Sequence, residues 1–116
     1  MTDLLDRLDR ELEADLETRF TRAVQRRFPE GRIRKGHWEG RRGAFDRVVL
    51  LPGGLIAFAE VKRGTEGRLS GPQKEEGAAL QALGFLARVI RTDDDIVAFL
   101  RDLERRAAAY RMLPRW

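Results

Sequence analysis

Cysteine is absent from this 116-residue chain, and histidine and tyrosine occur once each. Without cysteine there can be no disulfide framework, no thiolate zinc site and no cysteine nucleophile. His37, the single histidine, has no partner at ligand or triad spacing, so its expected role is a strand-end hydrogen bond rather than catalysis. Aromatic residues make up only 8% of the chain. They form no base-stacking platform of the kind that single-strand binders use, and Trp38 is expected to cap the core rather than to stack on a base. No apolar run approaches the roughly 20 residues that a membrane helix requires. The opening MTDLLDRLDREL is too charged for a signal peptide. A soluble, cytoplasmic protein with no membrane partner and no small-molecule organic cofactor is expected. Internal repeats and low-complexity segments are also missing.

What is present is charge and one compact set of elements. The net charge of +4 and pI near 10.3 come mostly from arginine and favour a polyanionic partner. Arginine richness also follows from a GC-rich genome, so bulk charge alone carries little weight. The length suits one domain with a single core under both faces of a small sheet.

Leu5, Leu8, Leu12, Leu16, Phe20, Val24 and Phe28 recur at helical spacing, which predicts a long helix over 3–28 ended by Pro29-Glu30-Gly31. A strand over Ile33–Trp38 follows, then an exposed loop, Glu39–Gly43. Two apolar strands, about 45–51 and 55–62, flank Pro52-Gly53-Gly54. Both read as apolar on both faces, which predicts a central position with helices covering each side. After a loop over Gly64–Gly71, Pro72 suits the first position of a helix running to Leu83, closed by Gly84. Phe85–Ile90 reads as a strand. Thr92 caps a last helix, with Asp93–Asp95 in its first turn, that runs to about Ala109. The element order is αβββαβα.

The hairpin DRVVLLPGGLIAFAEVK places charged groups at the ends of its apolar strands. A type I turn with Pro52 second, followed by a left-handed glycine, pairs Leu51 with Leu55. Counting outward sets Asp46 opposite Glu60, where facing Cβ atoms lie about 5 Å apart. Lys62 shares that face, while Ala59 and Val61 point to the other. A two-residue Gly53-Gly54 loop would shift the register by one. Unpaired buried charge costs several kcal/mol, so these groups are either a salt-bridge cluster or a metal site. As a metal site, Asp46 and Glu60 are the oxygen ligands, with the Val61 carbonyl as a further one. Hard ligands without cysteine favour Mg²⁺ or Mn²⁺ over zinc. Lys62 would orient or help deprotonate a water, or stabilise negative charge. Lys35, Arg41 and Arg42 before the hairpin strands and Arg68 after them are candidates for phosphate contacts.

Gly43-Ala44-Phe45-Asp46-Arg47, Gly54, Ala59-Glu60-Val61-Lys62, Arg68-Leu69-Ser70-Gly71-Pro72-Gln73 and Leu83-Gly84, in that order, resemble the VRR-NUC domain of the PD-(D/E)XK nucleases. The resemblance spans about residues 10–103 of a single 1–116 domain, leaving a C-terminal extension over 104–116. It implies an α/β, restriction-endonuclease-like αβββαβ core with a mixed central sheet flanked by helices, plus a C-terminal helix. It implies a Mg²⁺- or Mn²⁺-dependent endonuclease acting on branched DNA, with four-way junctions cut by a homodimer. It makes Asp46 and Glu60 the metal ligands, Lys62 the catalytic lysine and Gln73 an organiser of the site. It also asks for a glutamate on the first helix, where Glu11, Glu13 and Glu17 compete. Glu17 projects between Val24 and Phe28 and is preferred, with Glu13 next. Phe45 stands where the family usually has proline. Competing readings are an inactive DNA-binding subunit on the same fold, and a flap, single-strand or RNA nuclease.

Overall fold

The computed structural model describes residues 2–36, 45–62 and 68–111; side chains of the first helix are described for Leu4, Arg7 and Asp15 onward, and those of the last helix up to Tyr110. The elements are α1 (Thr2–Arg27), β1 (Arg32–Lys35), β2 (Arg47–Leu51), β3 (Leu55–Val61), α2 (Gly71–Ala82), β4 (Leu86–Ile90) and α3 (Asp93–Arg111), in the expected αβββαβα order. The sheet order is β1-β2-β3-β4. The first two pairings are antiparallel and the β3–β4 pairing is parallel, so the sheet is mixed. A parallel neighbour requires a crossover, which α2 supplies. His37, Trp38 and the Glu39–Gly43 loop lie outside the described residues, as does most of the loop before α2.

The hairpin register is the expected one, from Leu51↔Leu55 to Arg47↔Ala59. Its turn is not. Gly53 and Gly54 have φ of 87° and 86°, so the left-handed region is entered one residue early, giving a type II turn after Pro52 rather than type I. Gly54 N–H still closes on the Leu51 carbonyl at 3.3 Å, and the three-residue loop length, which sets the register, is kept.

Leu16, Phe20 and Val24 of α1 and Ile96, Phe99 and Leu103 of α3 bury against Val49, Ala57, Ala59, Val61 and Ile90 on one face of the sheet. Phe20 and Phe99 meet edge to face, with centroids 5.2 Å apart. The opposite face corrects the expectation of full cover. β2 alternates between buried and partly open positions, and Leu50 is 39% exposed. The physical reason is the crossover: α2 leaves β3 and enters β4, so it packs over β4 and leaves the β2 side of that face open.

Two helix ends shape the site. α2 starts one residue before Pro72, with Ser70 as N-cap and Gln73 completing a capping box. It ends in a Schellman motif, in which Gly84 (φ 94°) donates to the Gln81 carbonyl and Phe85 to that of Leu80. Phe85 N–H is committed to this cap, so β4 begins at Leu86. Thr92 and Asp95 cap α3 reciprocally, at 3.2 Å in both directions.

Candidate active site

Asp46 sits just before β2, and Glu60 is the penultimate residue of β3. Ladder pairing stops at Arg47↔Ala59, one step short of these two. In place of a further rung, Asp46 N–H donates to Glu60 Oε2 at 3.0 Å. Glu60 is 5% exposed. Burial first, and the neighbouring Asp46 carboxylate second, push its pKa above the ordinary glutamate value, while the Asp46 N–H and the Lys62 ammonium pull it part of the way back.

The other Glu60 oxygen is held from two sides. Gln73 Nε2 donates to Oε1 at 3.0 Å, and Lys62 Nζ lies 3.5 Å from the same atom. The orientation of the Gln73 amide follows from its place in the helix. As the third residue of α2, it accepts from Ser70 N–H through Oε1, which turns the NH₂ group toward Glu60. Lys62 lies beyond the end of β3, where its N–H continues the parallel pairing to the Ile90 carbonyl. Strand alternation therefore turns the backbone groups of Val61 toward β2, past the last paired rung.

Phe45 is 3% exposed and abuts Gly77, where an added Cβ would lie 3.0 Å from the ring tip. The residue that departs from the family pattern thus fills the space between the Asp46 segment and α2. Gly77, a poor helix former, allows that close approach.

No protein-family model matches the sequence, and no curated protein does. A solved structure described as a VRR_NUC domain matches with a TM-score of 0.62 and 30% sequence identity, over 74% of this chain and 95% of that one. The chain belongs to the VRR-NUC family. Its fold is accordingly restriction-endonuclease-like.

In this VRR-NUC chain Glu17 forms its ion pair with Arg47. It comes from α1, on the face of the sheet that carries Arg47, Val49 and Ala59, whereas Glu60 and Lys62 point to the other face. Glu17 Oε2 lies 3.0 Å from an Arg47 guanidinium nitrogen, and the other terminal nitrogen of Arg47 lies 3.3 Å from Asp46 Oδ2. Arg47 is the residue that sequence reasoning missed. The available signal was an arginine at an inward position of an otherwise apolar strand, where a charge requires partners. The side chains of Glu11 and Glu13 lie outside the described residues.

Of the basic candidates, Lys35 ends β1 opposite Arg47, beside Gly36, whose N–H donates to the Asp46 carbonyl at 2.7 Å. Arg68 precedes the Ser70 cap of α2. Both are exposed. Arg41 and Arg42 lie outside the described residues.

The donor set of the VRR-NUC site fits a hard divalent cation. Asp46 Oδ1 is buried and has no hydrogen-bond partner, which leaves a carboxylate oxygen unsatisfied. Asp46 and Glu60 supply carboxylate oxygens, and Val61 a carbonyl facing the same side. Among the described residues no three acidic or histidine side chains converge.

Proposed function

We propose that this domain is a Mg²⁺- or Mn²⁺-dependent DNA endonuclease that incises branched DNA, four-way junctions in particular, as a homodimer inside the cell. The observation that carries the reading is the unpartnered, buried Asp46 Oδ1 beside a Glu60 whose two oxygens are held by Asp46 N–H, Gln73 and Lys62. When bound, a divalent cation supplies charge neutralisation at the phosphate and a more acidic water.

The protein's own groups have separable tasks. Asp46 and Glu60 would hold the cation, with the Val61 carbonyl beside them. Gln73 keeps Glu60 Oε1 in place, so the carboxylate does not rotate when substrate arrives. The Lys62 ammonium is a quarter exposed and stands beside Glu60, where it can donate to a phosphate oxygen and stabilise negative charge that develops there. The exposed Lys35 and Arg68 would bind neighbouring phosphates without reading sequence.

Two-fold pairing would give one incision on each of two strands. It is supported by the length of α1. This helix has 26 residues, its first buried side chain among those described is Leu16, and Leu4 near its start is 57% exposed. Leu4 therefore adds apolar surface outside the monomer core.

The test is incision of labelled four-way junction, flap and linear duplex DNA with Mg²⁺, Mn²⁺ or EDTA. Metal-dependent paired incision of the junction, reduced about 10²-fold or more in Lys62→Ala, is the expected result. Tight junction binding with no incision under any metal would instead identify a DNA-binding subunit.

A further inference from the structure

Arg47 has no part in the chemistry described above, yet it is one of few charged side chains in the interior, at 8% exposed. Its guanidinium joins two elements. One terminal nitrogen reaches Glu17 Oε2 on α1, and the other reaches both Asp46 Oδ2 and the Asp46 main-chain carbonyl at 3.3 Å. Removing a guanidinium from water costs several kcal/mol, which a single carboxylate at 3.3 Å would offset poorly. A second carboxylate from the helix balances the charge and fixes the fork in a plane that lysine could not reproduce.

The consequence falls on Asp46. Arg47 takes Oδ2 and the main-chain carbonyl, and Oδ1 is the oxygen left without a hydrogen-bond partner. Glu17 pairs with Arg47 on the face of the sheet opposite to the one Glu60 and Lys62 point to.

We propose that Glu17 serves the site as a positioning residue acting through Arg47: the Glu17–Arg47 pair braces Asp46 so that Oδ1 is presented to the cation. This rests on the metal-dependent reading above. Glu17 is then neither a metal ligand nor a general base; it is the counter-charge that keeps the arginine fork in place. Among the described residues the absence of a three-carboxylate cluster agrees with that division.

A double-mutant cycle on Mn²⁺ affinity, measured by calorimetry on the uncleaved, DNA-free protein, separates the two arrangements. Glu17→Ala and Arg47→Gln are each expected to weaken Mn²⁺ binding, roughly tenfold for Arg47→Gln. Glu17→Ala/Arg47→Gln is expected to bind no more weakly than Arg47→Gln alone. If the two factors multiply in the double variant, Glu17 acts independently of Arg47 and the brace is overturned. Tighter Mn²⁺ binding by Arg47→Gln would overturn it as well, because the arginine would then be a competitor of the cation. The cycle is repeated with Arg47→Lys, which keeps the charge but not the fork, so that a folding defect in the neutral variant does not decide the matter; the same coupling is expected. Wild-type protein that binds no Mn²⁺ would overturn the metal reading and the brace together, whereas additive losses from a wild type that does bind would overturn the brace alone.

Discussion

The main-chain N–H of Asp46 donates to Glu60 Oε2 at 3.0 Å, so the two acidic residues of the site are joined by one hydrogen bond although their carboxylates repel each other. The bond occupies the place of the next ladder rung. It holds a buried glutamate near a second negative charge, and the folded state bears that cost.

The cost has a sign. Glu60 has its pKa raised in the folded protein, so the metal-free native state binds the proton more tightly than the unfolded chain does. Between the ordinary glutamate value and the raised one, stability therefore falls as pH rises. Glu60→Gln is expected to raise the thermal midpoint of the metal-free protein at neutral pH, and the gain should vanish at low pH, where the wild-type residue is protonated. A midpoint lowered by the substitution at neutral pH would contradict the origin assigned to the shift.

Gln73 has two jobs that can be separated by charge. Gln73→Ala loses the capping bond to Ser70 N–H and the bond to Glu60, and should cost about 1–2 kcal/mol at every pH. Gln73→Glu keeps the capping acceptor but sets a second carboxylate against Glu60 Oε1. Its cost should be of similar size at neutral pH and should shrink on acidification. Urea unfolding at two pH values checks both.

Mn²⁺ should stabilise the fold by mass action, since an unfolded chain does not assemble the carboxylates. At a concentration about 100 times its dissociation constant the gain is about 2.7 kcal/mol. The rise in thermal midpoint should disappear with EDTA and in Asp46→Asn. A midpoint indifferent to Mn²⁺ would argue against a cation at Asp46.

The Phe45 ring fills the space over Gly77. Phe45→Pro should open a cavity there and destabilise the domain by about 3 kcal/mol. Gly77→Val pushes a branched side chain into the same ring and should cost about 1–3 kcal/mol. Chemical denaturation of both variants tests whether this contact sets the height of α2 above the site.

Lys35 and Arg68 should act on affinity rather than on chemistry. Each alanine variant is expected to weaken junction binding uniformly across sequences and to reduce the slope of log K against log salt by about 0.9. A change in sequence preference without a change in slope would place these residues elsewhere than on phosphates.

The periodicities of the chain were enough to order its elements, because apolar spacing, Pro72 and Thr92 at the helix starts, and Gly54 and Gly84 after the strand and helix they close, act within a few residues of themselves. The hairpin register was legible for the same reason: a three-residue loop leaves only one pairing for Leu51, and Asp46 and Glu60 follow by counting. The nearness of Gln73 to Glu60 was legible only through a family resemblance, since the two residues come from different elements.

Other features depend on where elements lie relative to one another in space, which local patterns do not encode. β2 reads as apolar on both faces, yet one face stays partly open because the crossover helix lands on β4. Phe45 reads as a missing proline and is a packing contact with Gly77. Glu17 reads as one of three helix carboxylates, and its partner is an arginine thirty positions away that no spacing rule connects to it. Sequence alone determined the order of the elements, the register of the hairpin and the pairing of two acids with a lysine at its open end, since these follow from backbone periodicity and turn length. Only the tertiary structure decided which face each charge meets, because burial, and with it the need for a partner, exists once α1 and α2 have closed on opposite sides of the sheet.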